Sequence, residues 1–177
     1  MKNLIYVSLI AGLFAACGPM QSVNNMKAEA NKQGVQRFYD QVINAHNPAA
    51  ADSFCTAEFV DHNPAMGHSG KGMDDLKASF KDFFAAYPDV HITANMIATN
   101  GDTIMAMVTM TGTNSGPMMG HPATNKQVNI QGTDIMVLKD GKATDRWGFF
   151  EDMKMMQQLG MMPEMGAAPP TDAMTKK

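Results

Sequence analysis

One carboxylate in this chain falls where a strand pattern calls for an apolar side chain. If the stretch from Gln127 to Lys139 is extended, Val128, Ile130, Gly132, Asp134, Met136 and Leu138 share one face, because side chains on a strand alternate with period two. Every other member of that face is apolar or glycine, so Asp134 is expected to point into the interior. A carboxylate buried there without a partner costs several kcal/mol. Asp134 is therefore paired, protonated or in chemical use, and two readings stay open: a structural carboxylate that caps neighbouring backbone, or a general acid–base. His121, in the loop Met118-Met119-Gly120-His121-Pro122, leads directly into this strand. If that loop folds over a cavity mouth, the imidazole can approach Asp134, and a histidine beside an acid is a common proton-transfer pair. A plain surface histidine is the competing reading.

A second polar group lies upstream, at Asp61-His62-Asn63-Pro64 with His68 following. An acid and two histidines could ligate a metal, but neither an i, i+4 helical spacing nor a second carboxylate cluster supports one. A polar rim on a cavity is the better account, and neither metal nor cofactor is expected. Trp147, Phe149 and Phe150 precede Glu151-Asp152 and fit core as readily as a ligand platform; one of the two acids is expected to cap the helix that follows. Cys55, among Phe54 and Phe59, reads as a small buried hydrophobe and not as a catalytic thiol.

The elements that must hold these residues follow from periodicity. Val35, Phe38, Tyr39, Val42 and Ile43 form an i, i+3, i+4, i+7, i+8 stripe, which predicts a helix over about 28–45. His46-Asn47-Pro48 ends it, and a short helix covers about 49–54. Residues 56–61 are short and extended, and 63–72 form a loop rich in breakers. A helix over 73–86 turns Leu76, Phe80, Phe83 and Phe84 to one side. Strands at 91–99 and 103–112 flank Asn100-Gly101-Asp102, a hairpin turn signal. Strands at 127–139 and 143–150 flank Asp140-Gly141-Lys142, and a last helix spans about 151–159. Helices, then a meander of strands, then a helix make an α+β domain, with helices packed on one face of a curved antiparallel sheet.

Length and charge narrow the class. The chain has 177 residues, and its 14 Lys and Arg against 17 Asp and Glu form no basic cluster, which argues against nucleic acid as a partner. Nineteen methionines supply adaptable apolar side chains, although a compositional habit would also account for them. The N-terminus carries Lys2 and then an apolar run from Leu4 to Ala16 interrupted only by Ser8, too short to span a bilayer. It stops at Phe14-Ala15-Ala16-Cys17, which resembles the lipobox of bacterial lipoproteins. The expectation is a signal peptide over 1–16, acylation at Cys17, a short polar tether over 17–27, a domain over 28–160 and a disordered tail over 161–177. That resemblance implies a protein of the cell envelope, anchored to a membrane by acyl chains and not spanning it. With Cys17 lipidated, Cys55 has no disulfide partner.

Several stretches together resemble the SnoaL-like polyketide cyclase, or ester cyclase, family. They are Val35-Gln36-Arg37-Phe38-Tyr39, Phe59-Val60-Asp61-His62-Asn63-Pro64, Gly120-His121-Pro122-Ala123-Thr124, Gly132-Thr133-Asp134-Ile135, Asp140-Gly141-Lys142, Arg146-Trp147 and Gln157-Gln158-Leu159-Gly160. The resemblance implies the nuclear-transport-factor-two-like fold, a cone-shaped antiparallel sheet (an α+β barrel) with helices on its concave side around a deep pocket. It also implies ring closure by intramolecular aldol condensation without metal or cofactor. The family's acid–base aspartate and histidine fall on Asp134 and His121. A small apolar ligand is then expected against Phe38, Tyr39 and Trp147 and the rim residues His62 and Asn63. A homodimer through the sheet is common in the fold. Two functions remain in view, a cofactor-independent cyclase or isomerase and a lipid-anchored binding module that uses the same pocket without turnover; a structural lipoprotein with a filled pocket is the third. Cys17→Ser is expected to release the protein from the membrane fraction or to leave an uncleaved precursor; normal processing and partitioning of the variant would refute the lipoprotein assignment.

Overall fold

The computed structural model describes residues 18–162, with side chains from residue 23 onward. The expected signal peptide over 1–16, Cys17 and the expected tail from residue 163 lie outside the described residues. Helix α1 runs Gly18–Phe38 and continues into a π-helical turn, Tyr39–Ile43. A 3-10 turn at Pro48–Ser53 leads to β1 (Cys55–Asp61), α2 (Gly72–Ala86), β2 (His91–Asn100), β3 (Thr103–Thr113), β4 (Gln127–Lys139), β5 (Lys142–Phe150) and α3 (Asp152–Leu159). The sheet is open, in the order β1-β5-β4-β3-β2.

The four strands expected from alternation pair antiparallel, β2 with β3, β3 with β4 and β4 with β5. β1 joins the other edge parallel to β5, with Asp61 opposite Arg146. Its sequence shows an extended segment but not its partner, because the partner lies more than eighty residues downstream. Register shifts between Ala94 and Met96 in β2 and between Val137 and Leu138 in β4 mark bulges, which bend a sheet and increase its twist.

On β3 the inward side chains Ile104, Ala106, Val108 and Met110 are buried, as are Val128, Ile130, Asp134, Met136 and Leu138 on β4. The outward Met105 and Met107 of β3 and Met96 of β2 are exposed. α1, α2 and α3 all contribute side chains to the cavity that the inward sheet face lines, so they cover one side of the sheet.

The first helix departs from expectation at both ends. It begins at Gly18 and not near residue 28, so the short polar segment 18–27 is helical; polarity removed the burial signal there, but Ala28, Glu29, Ala30 and their neighbours are good helix formers. At its other end the winding loosens, with the Asn44 N–H bonded to the Tyr39 carbonyl at 2.8 Å and that of Asn47 to Val42 at 2.9 Å. Tyr39, Val42 and Ile43 are buried by this turn. None of the described helices is long and apolar enough to cross a membrane. Ile104, with no exposed surface at the centre of the sheet, should anchor the core: Ile104→Ala is expected to cost about 2–5 kcal/mol in urea unfolding.

Candidate active site

The sheet geometry brings three inward charged positions together. Asp134 on β4 lies between Ala106 of β3 and Gly148 of β5 in register, so small residues flank it on both sides. Two positions before Gly148, Arg146 faces inward as well, and its guanidinium folds back across that glycine. A Cβ at Gly148 would collide with Arg146 Nη2 and Cζ, so the arginine takes this pose only over glycine. Asp61, at the end of β1, is the register neighbour of Arg146 on the other side.

The result is a carboxylate–guanidinium–carboxylate chain that runs from the buried Asp134 through the partly buried Arg146 to the partly buried Asp61. Arg146 Nε donates to Asp134 Oδ1 at 2.8 Å, and Nη2 lies 2.6 Å from the same oxygen. Nη1 donates to Asp61 Oδ2 at 2.7 Å, and Asp61 Oδ1 accepts the Asn63 backbone N–H at 3.0 Å. From the π-helical turn, the Tyr39 hydroxyl donates to Asp134 Oδ2 at 2.7 Å. π-Helical turns recur at functional sites, and here the looser winding delivers that phenol. Asp134 is 3% exposed, which verifies its inward direction.

The environment sets the protonation of the groups around it. Burial, reinforced by the Asp134 carboxylate, holds the Tyr39 hydroxyl well above the ordinary tyrosine range, so it remains a donor. Burial pulls the Arg146 guanidinium the other way, but Asp134 and Asp61 more than offset it, and the group stays charged. Cys55 is pushed up to about 12 by burial, so it stays a thiol and is no nucleophile.

The cluster forms part of the wall of a cavity of about 950 Å³. The aromatic residues Phe38, Phe54, Phe59, Phe80 and Phe83 and the methionines Met110, Met118, Met119, Met136, Met155 and Met156 make up much of the remainder. Asn63 lines it too, and His68 does so while its ring lies 3.5 Å from Asp75 and 3.2 Å from Asp82. Among the described residues no group of three or more His, Cys, Asp and Glu is placed to hold a metal ion.

Of the residues expected at the site, Asp134, Tyr39, Phe38 and Asn63 line one cavity, and three others do not. His121 is exposed on the turn closed by paired Met118 and His121 backbone bonds, off the cavity wall and unbonded to Asp134. The loop does reach the cavity, but it presents Met118 and Met119, and the histidine faces solvent. His62 and Trp147 also lie off the wall. Their rings stack at 4.2 Å and 3°, and His62 Nε2 bonds Asp145 at 2.8 Å. Trp147 alternates with the inward Arg146 and Gly148, so it belongs to the outer face. Sequence reasoning missed the charge of Arg146, whose signal was its place on the Arg146-Gly148-Phe150 face next to a strand with an inward acid: a buried acid needs a cation.

The family profile described as SnoaL-like polyketide cyclase matches residues 33–159. Among solved structures, the chain resembles TsrD from Streptomyces laurentii (TM-score 0.68, 23% identity, 76% of this chain and 97% of that one). It also resembles a protein assigned as a polyketide cyclase from Bacillus cereus (0.68, 25% identity, 81% and 89%). A third, assigned as SnoaL-like polyketide cyclase from Jannaschia, superimposes with TM-score 0.66 at 20% identity over 77% and 95% of the two chains. No curated protein sequence matches the chain. Removing the shared cation leaves the buried Asp134 carboxylate without its charged partner, beside the partly buried Asp61, so Arg146→Met is expected to cost about 3–5 kcal/mol in chemical unfolding. A loss below about 1 kcal/mol, the range of a surface pair, would contradict the buried-cluster account.

Proposed function

The chain belongs to the SnoaL-like polyketide cyclase family, and on that premise we propose that it performs cofactor-free acid–base chemistry on an apolar carbonyl compound, an aldol cyclisation or an isomerisation. The observation that carries this reading is the inward Asp134 carboxylate, held between Tyr39 and Arg146 on the wall of a large apolar cavity. Asp134 Oδ1 faces two arginine nitrogens, whereas Oδ2 accepts one donor and keeps a lone pair. Oδ2 is therefore the oxygen assigned to remove a proton from the carbon next to a carbonyl. The C–H electron pair moves into the new enolate, whose charge collects on the carbonyl oxygen.

A guanidinium has five N–H groups. Three of those of Arg146 point at Asp134 and Asp61, which leaves one each on Nη1 and Nη2 for that oxygen. Preorganised donors at a developing oxyanion supply a large part of such a rate enhancement. In a cyclisation the enolate carbon then bonds to a second carbonyl carbon of the same molecule, and the resulting alkoxide takes the proton back from Asp134. In an isomerisation the proton returns to a different carbon. His121 has no part in this mechanism.

The location proposed is the cell envelope, through acylation of Cys17, on the strength of Phe14-Ala15-Ala16-Cys17 after a short apolar run. Self-association through the outer sheet face is supported by the exposed Met96, Met105 and Met107 there. Deuterium uptake at the α-carbon of 2-tetralone, followed by NMR, tests the chemistry without the natural substrate. The wild type is expected to accelerate uptake, and Asp134→Asn to lose about 10²–10⁴ of that acceleration. Because the variant also leaves Arg146 with one carboxylate fewer, it melts below the wild type, and the comparison is made at a temperature where both are folded. Equal uptake by both proteins would refute Asp134 as the base. Binding of 2-tetralone without acceleration would leave a binding module.

A further inference from the structure

The outer face of the sheet carries three exposed methionines that the cavity chemistry does not use. Met105 and Met107 alternate with the buried Ile104, Ala106 and Val108 of β3, so they point away from the core, 43% and 41% exposed. Met96 of β2 joins them only because of the bulge. The register at the start of β2 sets Ala94 against Val108, and continued unbroken it would set Met96 against the inward Ala106. The extra residue is Asn95, whose Nδ2 donates to Thr109 Oγ1 on the outer face at 2.7 Å. Met96 is thereby turned outward, opposite Met107 and 50% exposed. Re-aiming a side chain is a recurrent use of bulges.

Three thioethers then share one small patch. Residues directly opposite on antiparallel strands have Cβ atoms about 4.5–5.5 Å apart, which describes Met96 and Met107. Met105 stands two residues from Met107 on the same face, about 7 Å along the strand, and its own partner on β2 is the small Ala98. Each sulfur lies two bonds beyond Cβ on a flexible, unbranched chain, so the three can turn to one point. The bordering residues of β4 in register, Thr133 and Ile135, are uncharged, as are Asn95, Ala98 and Thr109. A face that needed only to be apolar would be better served by β-branched side chains, which suit strands. Methionine adds a soft sulfur donor. With neither carboxylate nor imidazole beside them, neutral thioethers favour Cu(I) over zinc, magnesium or calcium.

We propose that Met96, Met105 and Met107 form a surface site for a soft monovalent metal ion, Cu(I) or its analogue Ag(I), held by three thioether sulfurs. The site lies on the opposite side of the sheet from the cavity and rests neither on the cavity as a ligand site nor on Asp134 as a base. The same face supports self-association, and the sulfur atoms separate the two roles, because leucine keeps the apolar bulk without the donor.

The experiment titrates the full chain, labelled with carbon-13 at its methionine methyl groups, with silver nitrate. The Met96, Met105 and Met107 resonances are expected to move together and to stop at one ion per chain, whereas zinc chloride moves none of them. A triple variant, Met96→Leu with Met105→Leu and Met107→Leu, should melt and self-associate as the wild type does. It should lose silver binding, and with it the ability to take Cu(I) from bicinchoninate in the presence of ascorbate. Met96→Leu alone, the smaller perturbation, should bind silver more weakly than wild type. Absence of these three shifts, as when a second copy covers the face, would overturn the proposal. So would silver binding by either variant as tight as that of the wild type, which would assign the ion to other methionines.

Discussion

The arrangement of this domain turns on Arg146, whose guanidinium is shared between Asp61 and Asp134 inside the sheet's concave face. A lone buried carboxylate is costly, and two facing each other are worse; the shared cation is what lets both stay. The requirement propagates outward. Gly148 must lack a side chain so that the guanidinium can lie over it, and β1 must pair with β5 so that Asp61 reaches Nη1. Tyr39 must leave an ordinary helical path to meet the remaining Asp134 oxygen. Edge pairing, glycine placement and helix winding all serve one polar contact.

The same contact explains how a domain of this size maintains a large cavity. Its floor is a sheet bent by bulges, and its walls are aromatic and methionine side chains from three helices and two loops. Apolar surface around such a space would gain from closing in, and the charged chain across β1, β5 and β4 gives one wall a fixed polar surface. Methionine suits the rest, since its unbranched thioether repacks at low cost around ligands of varied outline. The polar groups are few and separated, as expected of a small-molecule site in which oriented contacts select and apolar surface binds.

Loop residues were the least predictable part of the site. His121 has the right sequence position to approach Asp134 and does not, because the turn at 118–121 borders the cavity with Met118 and the half-exposed Met119 and leaves the imidazole in solvent. His62 lies next to Asp61 in sequence, yet it stacks on Trp147 on the opposite side of the sheet. Proximity along a strand guarantees the opposite face at every odd step. A charged residue on an alternating strand is therefore better evidence of an inward group than a histidine in a flanking loop.

What the sequence by itself determined was local. Alternation along 127–139 marked Asp134 as inward, the helical stripe placed Phe38 and Tyr39 on the buried side, and the turn signals at Asn100-Gly101-Asp102 and Asp140-Gly141-Lys142 set the antiparallel meander. Each depends on neighbours within a few residues, where periodicity and turn chemistry act. Only the tertiary structure decided that β1 lies parallel to β5, that Arg146 joins Asp61 to Asp134, that His121 stays outside, and that a bulge turns Met96 to the outer face opposite Met107. Those outcomes depend on which distant segments pack together. An inward face says that a charge must be compensated, but the identity of its partner is set where separate strands meet.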